Sequence, residues 1–180
     1  MSQEQLMQFQ QLLAYHAAPT LMGVKCGSLI RFSSHEYAEN ADRINSDKLD
    51  TRVIYCSDGR CLLYIYDKKL LAGLLECPGI RRFLAQRGYE EGSIPSYLDT
   101  LCERLISGSF PHEIGVFLGY PLEDVEGFIE NCGKGCKLCG CWKVYSDVKR
   151  AKMLFETYRR CREQLCRQLK EGKTLCSFAA

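Results

Sequence analysis

The sequence predicts an α+β fold in which a small antiparallel or mixed sheet is covered by several helices. Two runs rich in aliphatic and aromatic residues, 52–56 and 61–66, flank an Asp-Gly pair, and this pattern is typical of a β-hairpin. Apolar residues recur with helical spacing after residue 68, and a stripe at that spacing continues from Val148 to Leu169. We therefore expect a sheet around the hairpin 52–66, helices mostly on one of its faces, and a long C-terminal helix.

The N-terminal part is predicted to begin with a helix and continue into an extended segment. An amphipathic helix is expected over residues 3–17, and Pro19 is expected to end it. Residues 27–32 are a candidate third strand, and residues 35–48 are polar enough for a surface helix. The second hairpin strand, 61–66, is apolar on both faces, which places it inside the sheet rather than at its edge.

The second half of the chain is predicted to be mainly helical. Three short helices are expected between residues 68 and 108, and two compact helices follow around 111–118 and 122–131. A strand at 141–145 is expected to join the hairpin sheet. The long last helix is expected to run over residues 147–170.

The composition is that of an ordinary globular protein. Of 180 residues, 46% are hydrophobic and 26% are charged, which excludes a disordered chain, and residues 1–180 are predicted to form one domain. The net charge of +2 is too small to argue for a nucleic-acid or membrane-surface partner. The N-terminus lacks the features of a signal peptide, and no stretch approaches the roughly 18 apolar residues that span a bilayer. These features predict a cytoplasmic protein without a membrane partner.

Twelve cysteines are unusual in such a chain, and in the cytoplasm most of them should be reduced. Four lie close together at 132, 136, 139 and 141, and Cys136 and Cys139 have the C-x-x-C-G spacing of a metal knuckle. Further ligands are available from the other two or, in the last helix, from Cys161 and Cys166. Three interpretations stay open: a zinc or iron–sulfur site with Cys136, Cys139 and Cys161 as ligands, a thiol redox pair, and mostly unpaired thiols.

A second candidate site lies in the run 110–121. His112 and Glu113 stand together at a predicted helix start, where a carboxylate suits the helix dipole, and histidine is the side chain that exchanges protons near neutral pH. With Tyr120 nearby, they are candidate catalytic or ligand-binding residues. The alternative is that His112 packs locally and that Gly115 only lets two helices touch, since glycine inside a helix costs about 1 kcal/mol relative to alanine.

Candidate ligand-binding residues follow in the predicted strand. If exposed, Trp142, Lys143 and Tyr145 would offer a stacking surface with a positive charge, suited to a flat or anionic ligand. If buried, Trp142 belongs to the core. Lys25 lies in a segment whose glycines let the backbone approach a ligand, and it adds a second cation, with a plain corner as the alternative.

The run 114–129 copies the apolar and glycine spacing of a helix-turn-helix. Its second helix, however, carries four acidic residues and no lysine or arginine, so it repels the phosphates that supply most non-specific affinity for DNA. This argues against nucleic acid as a partner. The same acidic helix, 122–131, could instead dock a protein partner.

The chain also resembles a known family. The motif FPHEIGVFLGYPLEDV at 110–125, the Cys139-Gly140 pair and the Trp-Lys-Val-Tyr run at 142–145 are similar to a domain-of-unknown-function family, number 3793, of anaerobic bacteria. The segment APTL…G…K at 18–25 is similar to that family's opening motif. The resemblance covers nearly the whole chain and implies no activity.

The resemblance moves attention away from the cysteine cluster. Cys132, Cys136 and Cys141 are extra to the family pattern, whereas a ligand set shared by the family should not need them. The weight shifts to five other residues: Lys25, His112, Glu113, Tyr120 and Trp142.

Three functions are therefore under consideration. The first is a metal- or redox-associated binding or accessory protein for a small ligand, served by a redox partner protein. The second is an enzyme that uses His112 and Glu113 as an acid–base pair, with Lys25 or Tyr120 holding substrate charge. The third is an adaptor that works through helix 122–131. In the first two, the motif segments are expected to converge on one cleft.

Overall fold

The computed structural model describes residues 3–32, 44–57, 60–107 and 110–173, and it has the predicted α+β fold. The helices are α1 Gln3–Leu21, α2 Lys68–Leu75, α3 Pro78–Ala85, α4 Ile94–Ile106, α5 Ile114–Phe117, α6 Leu122–Glu130 and α7 Val148–Lys170. The strands are β1 Gly27–Phe32, β2 Leu49–Ser57, β3 Arg60–Asp67, β4 Leu138–Cys139 and β5 Lys143–Val144. No helix in these ranges is long and apolar enough to cross a membrane.

The first three strands form one antiparallel sheet in the order β1-β3-β2. The predicted hairpin is confirmed as β2 and β3, and β3 is the central strand, as its apolar residues on both faces indicated. The turn residues Asp58 and Gly59 lie outside the described residues. So does most of the predicted surface helix at 35–48, whose described part, 44–48, contains no α-helix.

Alternating side chains of β3 serve two cores on opposite faces of the sheet. Cys61, Leu63 and Ile65 pack in a core with α1 and α7. Tyr64 and Tyr66 pack in a core with residues of helices α2 to α6. Most helices therefore lie on one face, as predicted, because period-two alternation turns successive β3 side chains to opposite sides.

Helix α1 continues through Pro19 instead of ending before it. A proline inside a helix removes one hydrogen bond. Here the amides of Val24 and Lys25 donate to the Pro19 carbonyl at 2.8 and 3.1 Å, so the chain beyond the proline stays tied to the helix. The fully buried Ala17 and Ala18 offset the missing bond by packing.

The predicted strand at 141–145 is shorter than expected and does not join the main sheet. Its residues Lys143 and Val144 pair with Cys139 and Leu138 in a separate two-stranded sheet. A partner strand only a few residues away forms this hairpin at a small loop-closure cost. The β4–β5 hairpin has its own small core against the first half of α7.

One pair of cysteines departs from the expectation of reduced thiols. Cys56 and Cys61 face each other across β2 and β3 with Cα atoms 4.2 Å apart, and they are joined in a disulfide. Hairpin register places them opposite one another, a proximity that sequence spacing does not show. The other nine described cysteines are free thiols.

Candidate ligand cavity

A cavity of about 320 Å³ lies between α5, α6 and the β4–β5 hairpin. Its size is at the lower end of that found for small-molecule sites. The few polar side chains on its wall are His112, Asp124, Cys139 and Lys143. The apolar part of its wall includes Ile114, Leu118, Tyr120, Val125, Phe128 and Trp142.

Helix α5 is held in place by the central strand of the main sheet. The Tyr64 hydroxyl donates a hydrogen bond of 2.6 Å to the Phe117 carbonyl at the end of the helix. Tyr64 fits there because Gly27 has no side chain: a Cβ at that position would lie 2.2 Å from the Tyr64 oxygen. The sheet thus sets the position of the cavity's α5 wall.

The opposite wall is held by one buried carboxylate, Asp124 of α6, which is only 2% exposed. The Trp142 Nε1 donates to Asp124 Oδ2 at 2.7 Å. The backbone amides of Tyr145 and Ser146 and the Ser146 hydroxyl all donate to Oδ1 at 2.8 Å. Burial alone would raise the pKa of Asp124, but these hydrogen bonds outweigh it and hold the pKa below its usual value. The charged carboxylate therefore fastens the hairpin to α6.

The aromatic side of the cavity is a packed stack. The ring of Tyr120 stacks on Trp142 with centroids 4.9 Å apart, and Phe155 meets the indole edge-on at 4.5 Å. Gly140 allows this arrangement, since a Cβ there would lie 2.2 Å from the Phe155 ring. Trp142 is buried, so one face of the predicted stacking surface is already occupied by Tyr120.

His112 and Glu113 face different surroundings. His112 is exposed, lines the cavity, and meets the Phe128 ring edge-on at 4.9 Å. Glu113 is 3% exposed and accepts hydrogen bonds from Arg104 Nε and the Tyr89 hydroxyl. Its carboxylate is engaged in a structural ion pair that ties α5 to α4.

Lys25 lies beside the cavity rather than in its wall. Its Nζ is 5.3 Å from the ring centroid of Tyr120 and 5.7 Å from that of Tyr158. Burial lowers the pKa of Lys25 to about 8, and the nearby thiols of Cys26 and Cys141 counter this only in part. Among the described residues, this ammonium group has cation–π contacts but no hydrogen-bond acceptor or carboxylate.

Of the other two predicted ligand-binding residues, one lines the cavity and one does not. Lys143 lines the cavity, and its Nζ donates to the Gly133 carbonyl at 2.7 Å. Tyr145 packs against α6, where a Cβ on Gly127 would lie 2.7 Å from the Tyr145 Cβ. The Tyr145 hydroxyl is buried without a hydrogen-bond partner in the described part of the chain.

The predicted metal ligands do not form a group. Cys139 lines the cavity, whereas Cys161 packs in the core between α1 and α7. Cys136 precedes β4 and is partly exposed. Within residues 3–32, 44–57, 60–107 and 110–173, no three His, Cys, Asp or Glu side chains are placed to hold a metal ion. The turn of α7 that carries Cys161 faces α1, while earlier turns face the hairpin.

Residues 13–179 match the model of one protein family, whose description is "Protein of unknown function (DUF3793)". The chain belongs to this family. The match confirms the resemblance stated from the sequence and spans nearly the whole chain. Neither the curated proteins nor the solved structures contain a match. The family description names no activity, so function has to be argued from the geometry of the cavity.

Proposed function

We propose that this protein binds a small, flat and largely apolar molecule in the cavity between α5, α6 and the β4–β5 hairpin. The observation that carries the proposal is an apolar, aromatic-lined cavity of about 320 Å³ with a few polar groups in its wall, the usual make-up of a small-molecule site. Five of the predicted site residues contribute to this wall: His112, Tyr120, Cys139, Trp142 and Lys143.

The directed bonds of the wall support binding over a purely structural role. Asp124 fixes the indole of Trp142 by a hydrogen bond, and Tyr120 covers one indole face. A wall held in this way is formed before the ligand arrives, which reduces the ordering cost of binding. Of the three functions considered from the sequence, the geometry favours the binding protein, because Glu113 is engaged with Arg104 instead of being available beside His112.

The proposal is tested with 1-naphthol, which is flat, apolar and uncharged. Trp142 is the only tryptophan, so its indole N–H gives a single resonance in a ¹⁵N-resolved spectrum, and this proton is the one bonded to Asp124. We expect a saturable shift of that resonance with a dissociation constant of about 1 mM or lower, which is about −4 kcal/mol and modest for a ligand of this size.

A matched pair of variants locates the site. Leu118→Phe adds bulk to the half-buried cavity wall, and Leu70→Phe makes the same change on α2, outside the cavity. We expect at least about tenfold weaker 1-naphthol binding for Leu118→Phe, since over-packing a filled site costs roughly 1–3 kcal/mol, and unchanged binding for Leu70→Phe. No shift of the indole resonance in the wild type, or equal binding by the two variants, would overturn the proposal.

A further inference from the structure

A second concave surface adjoins the cavity and differs from it in charge. This cleft, of about 340 Å³, is lined by Arg87, Arg104 and Glu113 together with apolar residues. Phe110 and His112 belong to its wall and also to the wall of the apolar cavity. The two spaces are therefore neighbours that share these two side chains.

The two arginines of the cleft are held by contacts that leave donors available. Arg104 gives its Nε to Glu113 and its Nη1 to the Arg87 carbonyl. Arg87 gives its Nη1 to the Phe83 carbonyl at 2.9 Å, and its guanidinium carbon lies 3.6 Å from the centre of the Phe83 ring. Each guanidinium has five N–H groups in a rigid fork, so both retain donors after these bonds.

The charge in the cleft is unbalanced. Among the described residues, Glu113 is the one carboxylate that lines the cleft, and it is already paired with Arg104, so the Arg87 guanidinium has no counter-charge in the described part of the wall. Fixed guanidinium groups recognise phosphate and carboxylate by paired hydrogen bonds. A half-buried position strengthens such bonds relative to fully exposed ones, because solvent screens them less.

We infer that the ligand has two parts: a flat ring system that occupies the apolar cavity and a phosphate or carboxylate group that Arg87 and Arg104 bind in the adjoining cleft. His112 and Phe110 stand where the two parts join. This inference rests on the proposed function and names its ligand class, the phosphorylated or carboxylated aromatic compounds, of which mononucleotides are one source and aryl acids another.

The inference is tested by comparing 1-naphthyl phosphate with 1-naphthol on the full chain. Both place the same ring in the cavity, so the Trp142 indole resonance reports on both, and they differ in the anion. We expect the phosphate to bind at least about tenfold more tightly, the range for charge-assisted hydrogen bonds. Inorganic phosphate alone should shift Arg87 or Arg104 side-chain resonances and leave the indole unmoved.

Two variants test whether the phosphate group binds in the cleft or is attracted only by the positive charge of the surface. Arg87→Gln should weaken the preference for the phosphate, with Arg104 left as the one arginine among the described residues of the cleft, and leave 1-naphthol binding in the apolar cavity unchanged. Arg82→Gln removes an exposed arginine of α3, the helix that ends just before Arg87, and Arg82 lines neither space, so the preference should persist. If Arg87→Gln is poorly folded, the wild-type preference still provides a test, because it should shrink as salt rises from about 0.05 to 0.5 M.

The outcomes distinguish this inference from the proposed function. If 1-naphthol binds and 1-naphthyl phosphate binds no more tightly, the two-part ligand is wrong and the cavity proposal stands. If neither compound moves the indole resonance, both fail. A phosphate preference that Arg87→Gln does not weaken, or that Arg82→Gln weakens equally, also overturns the inference, since Arg87 would then not bind the anion. To compare the two sources, flavin mononucleotide and 1-naphthoate are titrated in parallel; binding of either through Arg87 supports the inference, and binding of neither contradicts it.

Discussion

Two of the protein's cores are built in different ways. One lies between the main sheet and helices α1 and α7, and the other lies under the β4–β5 hairpin. The first is filled by side chains such as Leu13, Ala17 and Ile65, which are at most 1% exposed, and its packing is mostly non-directional. The second is small and aromatic, and hydrogen bonds to Asp124 fasten it to α6. The cavity lies against the second core. The proposed ligand site thus lies where directed bonds, rather than dense aliphatic packing, fix the wall.

The largest expected effect comes from breaking the hairpin's attachment. Asp124→Ala removes the acceptor of four hydrogen bonds and leaves the buried Trp142 N–H without a partner, a loss of roughly 3 kcal/mol. We expect faster hydrogen exchange in residues 138–146 and loss of 1-naphthol binding. Leu13→Ala in the other core should lower the free energy of unfolding by a similar amount, about 2–5 kcal/mol, with ligand affinity unchanged. Equal effects of both variants on affinity would remove the distinction between the cores.

The stability that Asp124 contributes through its hydrogen bonds depends on pH. Because the folded-state pKa of Asp124 lies below its usual value, its contribution to stability is present above the ordinary carboxyl pKa and is lost as pH falls through the lower folded value. The stability difference between wild type and Asp124→Asn should be constant from about pH 5 to 8 and shrink below about pH 4. Denaturant unfolding at several pH values measures it, and a difference that persists undiminished at pH 2 would contradict the role given to the charge.

The elements that sequence predicted well are those set by local pattern. The β2–β3 hairpin, the helices α2 to α4 and the long α7 follow from apolar spacing and turn chemistry, and the structure confirms them. The helix over 3–17 was expected to end at Pro19, and that was wrong because burial of the surrounding alanines overrides the lost hydrogen bond. A strand was expected at 141–145, and a short strand does form there. The sequence does not show whether this strand pairs with the hairpin 52–66 or with the neighbouring residues 138–139.

Some of the residues singled out from the sequence lie together in the structure. His112, Tyr120, Trp142 and Lys143 do line one cavity, since they come from segments that pack on one another. Asp124 was counted among the acidic residues that make helix 122–131 repel DNA. It stands three residues after Pro121 and four before Phe128, however, and this spacing places it on the apolar face of the helix. A carboxylate on such a face is the signal that identifies it. Arg104 was missed because its pairing with Glu113 depends on how α4 and α5 pack.

A smaller effect is expected from adding a methyl group at Gly140, which lies against the Phe155 ring next to the Trp142 indole. In Gly140→Ala the new Cβ would meet the Phe155 ring at 2.2 Å, and over-packing of this kind costs about 1–3 kcal/mol. Gly73 of α2 has no atom within 4 Å of its Cβ position, so Gly73→Ala should instead stabilise the protein by about 0.5–1 kcal/mol through helix propensity. Thermal unfolding measures both. A neutral Gly140→Ala would mean that close approach at the hairpin does not limit its packing, and a destabilised Gly73→Ala would mean that the open space at Gly73 does not make it a neutral control site.

The smallest effect concerns Lys25, which adjoins the same aromatic cluster. Its folded pKa of about 8 lies below the usual lysine value, so the unfolded chain binds the proton more tightly and charged Lys25 lowers stability at neutral pH. Lys25→Met keeps the length of the side chain and removes the buried charge. Cation–π contacts with Tyr120 and Tyr158 offset part of the burial cost, so we expect a gain of roughly 1 kcal/mol at pH 7. As pH rises above about 8, the wild type loses the charge in its folded state, and the advantage of the variant should shrink. If Lys25→Met is instead less stable than wild type at pH 7, the cation–π contacts of Lys25 outweigh the cost of burying its charge. Charged Lys25 would then stabilise the aromatic cluster beside the cavity.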